Sequence, residues 1–476
     1  QYQCTPISNV EELLSFLVAP YPDSIKICWD MESFLKPITR LLPKELNAKL
    51  NNGERIIYND FKLFWGFGKG SMLGIDWVIR ENIQNNIYSE DRFESIIYQL
   101  KTFFPNEPEP KTIEELQIKG TFLLDTLHNM GYEPTKLTSP ASIYEECVLN
   151  KLDLYRLGDM PDNAIEFAED AANLTREWRS AFRIGYFPVA HDLDLSAAYS
   201  SILAKVPDFH HAKYVKTDGR IPKGAFWGIL NGELDITSDI SPIVSSDGKC
   251  YKGKRQELIT TTDWSCIKRW SLGDFTPKSA WFVIFDKLDY IFDAPMRKLY
   301  TLRDSKNELQ VRIAKSQGSA AWGKLAQRFD NKLGERYMPL IPSMITSKAR
   351  VAVCDFVYSN KLVSDLLSIT VDGLLTTKYL PNVPTTKAFG EWRYNGSSEA
   401  LILSSSFQWC LDKRPASVDI NQMLDAVRNH PQSTAWNGVA LRFLEHDRAF
   451  DNLPRNGNNL LNNVYTSQAF EYSDKE

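Results

Sequence analysis

The sequence has no pair of cysteines at C-x-x-C spacing and no histidine set against a cysteine at zinc spacing, which excludes a zinc ribbon or finger. Its seven cysteines (Cys4, Cys28, Cys147, Cys250, Cys266, Cys354, Cys410) are odd in number and scattered, a pattern of a reduced compartment rather than a disulfide framework. It has no apolar run approaching the length of a membrane-spanning helix and no basic-then-apolar stretch at its start, so neither a membrane partner nor a secretory signal is expected. It has no internal repeats. It also has little net charge: 55 Lys+Arg against 60 Asp+Glu leave −5, with a pI of about 5.9. That excludes a protein coated in positive charge, although lysines clustered in one groove can hold nucleic acid in a mildly acidic protein. What is present is ordinary globular material, 476 residues with 43% hydrophobic and 24% charged, enough for two to four folded domains. The first residue, Gln1, suggests a native chain that begins earlier.

Two acidic positions stand out. The run from Asp194 to Ile202 follows an apolar, strand-like stretch, Phe187–Ala190, which delivers Asp192 and Asp194 into a turn of small residues. A carboxylate at the end of a buried strand is compensated by a metal ion, a base or a helix N-terminus, so Asp194 reads as a structural cap or as a metal ligand. Far downstream, Leu366–Thr370, Val371-Asp372-Gly373 and Leu374-Leu375 read as strand, turn and strand, a hairpin with Asp372 at its apex. Between them Lys315, Ser319 and Trp322 recur at i, i+4 and i+7 and so share one helix face. Two acids and a lysine-bearing helix are the parts of a site for a metal-bound polyphosphate.

Taken in order, these segments resemble the three polymerase motifs of family B DNA polymerases: Asp194 to Ile202 as D-x-x-S-L-Y-P-S-I, Lys315 to Gly323 as K-x-x-x-N-S-x-Y-G, and Thr370-Val371-Asp372 as D-T-D. The resemblance, to the protein-primed phage and plasmid branch, covers nearly the whole chain. It implies an α/β and α+β multidomain protein in which a ribonuclease H-like exonuclease-type domain precedes a right-hand polymerase. The implied boundaries are an exonuclease-like domain at 1–185, palm with an inserted subdomain at 186–294, fingers at 295–335, palm again at 336–400, and a short thumb with the C-terminal tail at 401–476. The implied activity is template-directed addition of deoxynucleotides to a primer 3′-hydroxyl or a protein hydroxyl. Two Mg2+ ions, with Mn2+ as a substitute, would be held by Asp194 and Asp372. Lys315 and Arg303 would meet the triphosphate, and the backbone at Leu195 its phosphates. Tyr199 would exclude a 2′-hydroxyl, while Trp322 and Ser319, standing for the family's tyrosine and asparagine, would lie beneath the nascent pair. Thr370 replaces the first acid of the third motif. The implied partners are template-primer DNA, deoxynucleoside triphosphates and a terminal or priming protein. The implied setting is the cytoplasm, in viral, plasmid or other mobile-element replication.

The N-terminal part carries Asp30 and Glu32 at i and i+2 of a strand, which places both on one face, either as a shared metal site or as an exposed strand end. Next come a predicted strand, glycine turn and helix over Glu115–Leu127 and a predicted amphipathic helix from Pro161 to Trp178. These are similar to the family's exonuclease, with Asp30 and Glu32 as its first motif and Asp170 as its last. Lys119 replaces the acid expected before Gly120, and Glu166 stands where a tyrosine is expected, so the resemblance implies a weak or absent exonuclease. About 120 residues separate Asp194 from Lys315, room for an inserted subdomain. This region includes the basic cluster Lys252, Lys254 and Arg255, readable as a solvated hairpin or as a phosphate track. A helical stretch is predicted from Asp293 and Pro295 through Arg297, Arg303 and Arg312 to Lys315. The gap from Ser319 to Asp372 leaves little room for the branch's second insertion, and its K-x-Y is not visible in Leu403–Trp409. Two rival classes are a catalytically degenerate polymerase-like DNA-binding protein and a primase-polymerase.

Overall fold

In a computed structural model of the chain, the residues described are 27–30, 43–51, 56–58, 61–65, 73–78, 93–95, 98–402 except 135, 136, 138, 184, 247, 330 and 331, and 408–410. Glu32 and nearly all of the expected thumb and tail lie outside them. The chain divides into two compact units. One holds the described residues up to Asp153 together with Thr301–Gln317; the other holds Leu154–Tyr300 and the residues from Gly318 onward. No helix among the described residues is long and apolar enough to cross a membrane.

The first unit contains strand β1 (Ile27–Cys28), helix α1 (Lys44–Asn51), and an antiparallel sheet of β2 (Ile56–Tyr58), β3 (Phe61–Trp65), β4 (Leu73–Val78) and β5 (Phe93–Ser95). Strand β6 (Tyr98–Gln99) pairs in parallel with β1. Helices α2 (Ile113–Asn129) and α3 (Pro140–Cys147) follow. The strand and glycine turn expected over Glu115–Leu127 are instead part of the continuous helix α2. The Thr112 side chain caps it by accepting from the Glu115 amide, with Glu114 and Glu115 in the first turn. Gly120 sits inside the helix because a Cβ there would lie 2.7 Å from Ile27 Cδ1; it permits close packing rather than a turn. Gln317, fully buried, accepts from the Tyr132 hydroxyl and donates to the Pro140 carbonyl.

The second unit begins with α4 (Ile165–Asn173), β7 (Arg179–Ala181), β8 (Gly185–Leu195) and α5 (Ala198–Leu203). It continues through β9 (Ala212–Thr217), β10 (Ala225–Ile236), β11 (Gly253–Thr260), α6 (Thr261–Trp270), β12 (Gly273–Phe285) and α7 (Asp293–Leu302). After α8 (Glu308–Ala326), whose first half belongs to the other unit, come β13 (Arg328–Phe329), β14 (Lys332–Leu333) and α9 (Leu340–Ser359). The last strands are β15 (Leu366–Thr370), β16 (Gly373–Thr376), β17 (Trp392–Ile402) and β18 (Gln408–Cys410).

Two antiparallel sheets result, one ordered β18-β17-β8-β16-β15-β7 and a smaller one ordered β11-β10-β12-β9. One apolar core serves both. Leu193, Ile369 and Leu374 from the large sheet, Leu230 and Ile259 from the small one, Ile267 of α6 and Val353 and Val357 of α9 are all buried together. Each such side chain contributes roughly 1.5–3 kcal/mol by leaving water. Because successive strand residues face opposite ways, burying Leu193 turns Asp192 and Asp194 toward the other face.

Two further expectations change. The helix predicted from Pro161 to Trp178 is a 3-10 turn at Asp162–Ala164 followed by α4, which ends at Asn173. Beyond it the carbonyls of Arg176 and Trp178 accept from Arg350 and from the Val371 amide, so this backbone is committed to tertiary bonds. The single helical stretch predicted from Asp293 to Lys315 is broken between α7 and α8. Asn307 caps the second helix, its side-chain oxygen accepting from the Gln310 amide. In the basic cluster on β11 and just before it, Lys252 pairs with Asp239, Lys254 with Asp235 and Arg255 with Glu257.

A buried ion pair ties α9 to the rest. The Arg350 guanidinium donates to the carbonyls of Pro242 (2.8 Å) and Arg176 (2.6 Å) and to both oxygens of Asp263 (3.3 and 3.2 Å). Asp263 also closes the capping box of α6 with Thr260. Removing the arginine would leave a carboxylate that is only 1% exposed without its counter-ion. Arg350→Ala is therefore expected to cost about 3–5 kcal/mol, and Arg350→Lys most of that because the fork is lost. The urea midpoint, followed by tryptophan emission, measures it.

Candidate functional site

Strand β8 is paired on both sides at its end. Asp194 lies between Gly373 of β16 and Arg393 of β17 in the register. Strands β15 and β16 form the predicted hairpin, with Val371 and Asp372 as its two-residue turn. The Leu195 amide donates to the Asp372 carbonyl at 3.0 Å, which sets the two acids on adjoining chain ends. Val371 has φ +62°, and Asp372 is not among the positive-φ residues, so the positive φ falls at the first turn position, which type II′ hairpin turns give to glycine. A β-branched residue there costs about 1–2 kcal/mol, and a 2.6 Å bond from its amide to the Trp178 carbonyl holds it in place.

The chain beyond β8 is fixed with equal economy. The Ser196 amide donates to the Glu391 carbonyl, and the Gly390 amide donates back to the Ser196 carbonyl. Gly390 has φ +76°, and a Cβ on it would come within 2.9 Å of Ser201. Ala197, at φ +54°, turns the backbone into α5. There the Ser200 hydroxyl donates to the Gly318 carbonyl at 3.2 Å. The Tyr199 ring stands edge-on to Trp322, with centroids 4.8 Å apart, and its hydroxyl donates to Glu177 at 3.4 Å. Burial, then the carboxylates of Glu177 and Asp372, push the Tyr199 hydroxyl far above the ordinary phenol range, so it stays protonated. Ser319 is exposed and Trp322 half-buried on α8.

The acids of β8 face side chains of β17. Arg393 donates to both oxygens of Asp194, Nε to Oδ1 at 3.2 Å and Nη2 to Oδ2 at 3.4 Å. The Asn395 amide donates to Asp192 at 3.2 Å. Neither partner was foreseen from the sequence. The usable signal was the period-2 match of Asp192-Leu193-Asp194 with Arg393-Tyr394-Asn395, which is informative only once the strands are known to pair.

The structure therefore brings Asp194, Asp372, Tyr199, Ser319 and Trp322 into one unit. Within the backbone around Leu195, expected to meet phosphates, the Leu195 amide donates to the Asp372 carbonyl. Lys315, exposed on α8, and Arg303, half-buried after α7, belong to the first unit. So do Asp30, which pairs with Lys101 at 3.6 Å, and Lys119, which pairs with Glu107 and lies over the rings of Trp29 and Phe104. Asp170 belongs to the second unit. Among the described residues no group of three or more His, Cys, Asp or Glu is gathered to hold a metal.

No protein-family model matches the sequence, and neither does any curated protein. Solved structures do. The fold is similar to Phi29 DNA polymerase complexed with primer-template DNA and incoming nucleotide substrates, with a TM-score of 0.57 at 13% identity, covering 84% of this chain and 80% of that one. It is similar to Phi29 DNA polymerase complexed with single-stranded DNA, with a TM-score of 0.53 at 12% identity and the same coverages. A post-translocation binary complex of Phi29 DNA polymerase with primer-template DNA gives 0.51 at 14% identity over 71% of this chain and 70% of that one. The likeness is one of fold: this chain has a distant DNA-polymerase-like architecture.

Asp170 supplies a pH prediction. Burial, then the neighbouring Glu166, raise its carboxyl from 3.8 to about 6. A folded value above the unfolded one means that stability is full below pH 3.8 and is lost as the pH rises through about 6. Because Asp170 is only half-buried and solvent screens its charge, Asp170→Asn is expected to match the wild type near pH 4 and to gain about 2 kcal/mol at most at pH 7.5. Thermal melts at the two pH values check it.

Proposed function

We propose that the protein is a DNA-templated DNA polymerase whose reaction centre lies in the second unit, at the ends of β8 and of the β15–β16 hairpin. The observation that supports this is the backbone bond from the Leu195 amide to the Asp372 carbonyl, which sets side by side the two chain ends that carry the acids the motifs single out. Asp194 and Asp372 would hold magnesium, which when bound acidifies the primer hydroxyl and neutralises charge on the transferred phosphoryl group. The protein's own contribution is positional. Paired on both sides, β8 fixes Asp194, and the Trp178 and Leu195 bonds fix Asp372, so neither carboxylate has to be ordered during the reaction. Tyr199, half-buried and edge-on against Trp322, would offer a wall against a 2′-hydroxyl, and Trp322 an aromatic surface for the nascent pair. Lys315 and Arg303 would supply cations to the triphosphate. Template-primer DNA and deoxynucleoside triphosphates are the substrates, with a DNA 3′-hydroxyl or the hydroxyl of a priming protein as acceptor.

A second reading is a polymerase-like protein that binds DNA without catalysis. It is favoured by one observation: Asp194 already has a counter-ion in Arg393.

One primer-extension experiment separates them. Wild-type protein with magnesium and deoxynucleotides is expected to lengthen a primed template, and Asp372→Asn to slow this by at least about a thousandfold with its melting temperature unchanged. Extension by Asp372→Asn at the wild-type rate would overturn the metal assignment, and no extension by wild type on DNA or protein primers would favour the second reading. In the same assay Tyr199→Ala is expected to bring ribonucleotide incorporation to within about tenfold of deoxynucleotide incorporation. Without nucleotides, a mispaired 3′ end should shorten slowly at most, since Lys119 stands in place of an acid.

A further inference from the structure

We infer that Arg393 is a resident counter-ion of Asp194, which a divalent cation must displace in order to bind. The inference rests on the proposed metal-holding role of Asp194 and Asp372. Its basis is the contrast between two arginine–aspartate pairs in the same unit. Arg350 is a structural clamp: it is buried and spends donors on two backbone carbonyls, at 2.6 and 2.8 Å, besides its carboxylate. Arg393 is built differently. Its side chain is 20% exposed, Asp194 is 32% exposed, and both of its bonds, at 3.2 and 3.4 Å, are long for charge-assisted contacts, which usually fall near 2.7–2.9 Å. Among the described residues Arg393 has no hydrogen-bond partner besides Asp194, which takes two of its five donors. Swinging it away breaks one contact and returns the guanidinium to water.

The placement adds a reason for a cation there. Asp192 and Asp194 share one face of β8, and Asp372 adjoins them through the Leu195 bond. Two acids on one strand face favour positive charge placed beside them. Asn395 relieves Asp192 by hydrogen bonding alone, and Arg393 is the cation directly opposite Asp194 in the register. The fork of Arg393 occupies both oxygens of Asp194, the atoms a metal would use. Metal and guanidinium therefore bind the same carboxylate in competition, and by linkage whatever weakens one strengthens the other.

Direct binding of Mn2+ tests this with the full chain and no DNA or nucleotide, by electron paramagnetic resonance titration of free Mn2+. Arg393→Gln removes the charge and is expected to bind Mn2+ about tenfold more tightly than wild type. Arg393→Lys keeps a charge but loses the fork, and is expected to fall between the two. Far-ultraviolet circular dichroism confirms that each variant is folded, and if Arg393→Gln is not, Arg393→Lys carries the test. Unchanged or weaker Mn2+ affinity in the folded variants, with binding still lost in Asp372→Asn, would overturn the displacement and leave the proposed metal site standing. Absence of Mn2+ binding by wild type and both variants would overturn the metal site itself, and the displacement with it.

Discussion

The hydrogen bond from the Leu195 amide to the Asp372 carbonyl is the point on which the candidate site turns. It is a backbone bond, so it is indifferent to side-chain identity, yet it sets which two chain ends adjoin. It can form only because β8 lies inside the sheet, with β16 on one side and β17 on the other, and because the β15–β16 turn has just two residues. A one-residue slip of β8 would turn Leu193 out of the core and Asp194 into it. The burial of Leu193, Ile369 and Leu374 thus selects the register that also presents the acids. Packing energy and site geometry are consequences of one alignment.

The parts of this arrangement written in local sequence were legible. An apolar run ending in an acid, and a Val-Asp-Gly turn between two apolar runs, gave β8 and the hairpin because side-chain alternation and turn chemistry are short-range properties. Three features were misread for the opposite reason. Gly120 looked like a turn, but a distant residue, Ile27, requires its missing side chain. The helix before Trp178 stops early because its following carbonyls are claimed by Arg350 and Val371, nearly two hundred residues on. The break before α8 comes from an asparagine cap, a local signal that the run of basic residues obscured. Arg393 was invisible, since nothing marks an arginine in a strand until its neighbour is known. The positive φ of Val371 runs against local preference, and strain of that kind is concentrated at functional sites.

Charge is handled in two distinct ways within one unit. At the junction of α6 and α9, Asp263 and Arg350 are buried together, and the guanidinium is held by two backbone carbonyls as well as by the carboxylate. At the end of β8 the acids are left partly open, with long bonds to a partly open arginine and an asparagine. The first arrangement resists rearrangement, because moving either partner would strand a charge in a medium of low polarisability. The second tolerates it, because water can replace whatever leaves. A rigid base under an adjustable charged rim is what a site for a highly charged ligand requires.

The strand order of the large sheet also governs how the chain can be made. Strands β7 and β8 are neighbours in sequence but are separated in the sheet by β15 and β16, and the other edge of β8 is closed by β17. The partners of β8 lie about 200 residues downstream, which a ribosome adding about 5–20 residues per second supplies only some 10–40 s later. For that interval β8 has its alternating apolar side chains synthesised and both of its hydrogen-bonding edges unmatched. Long-range pairing of this kind folds slowly and leaves open edges that attract other chains. The slower the chain is made, the longer this strand waits with both edges open for β16 and β17 to emerge.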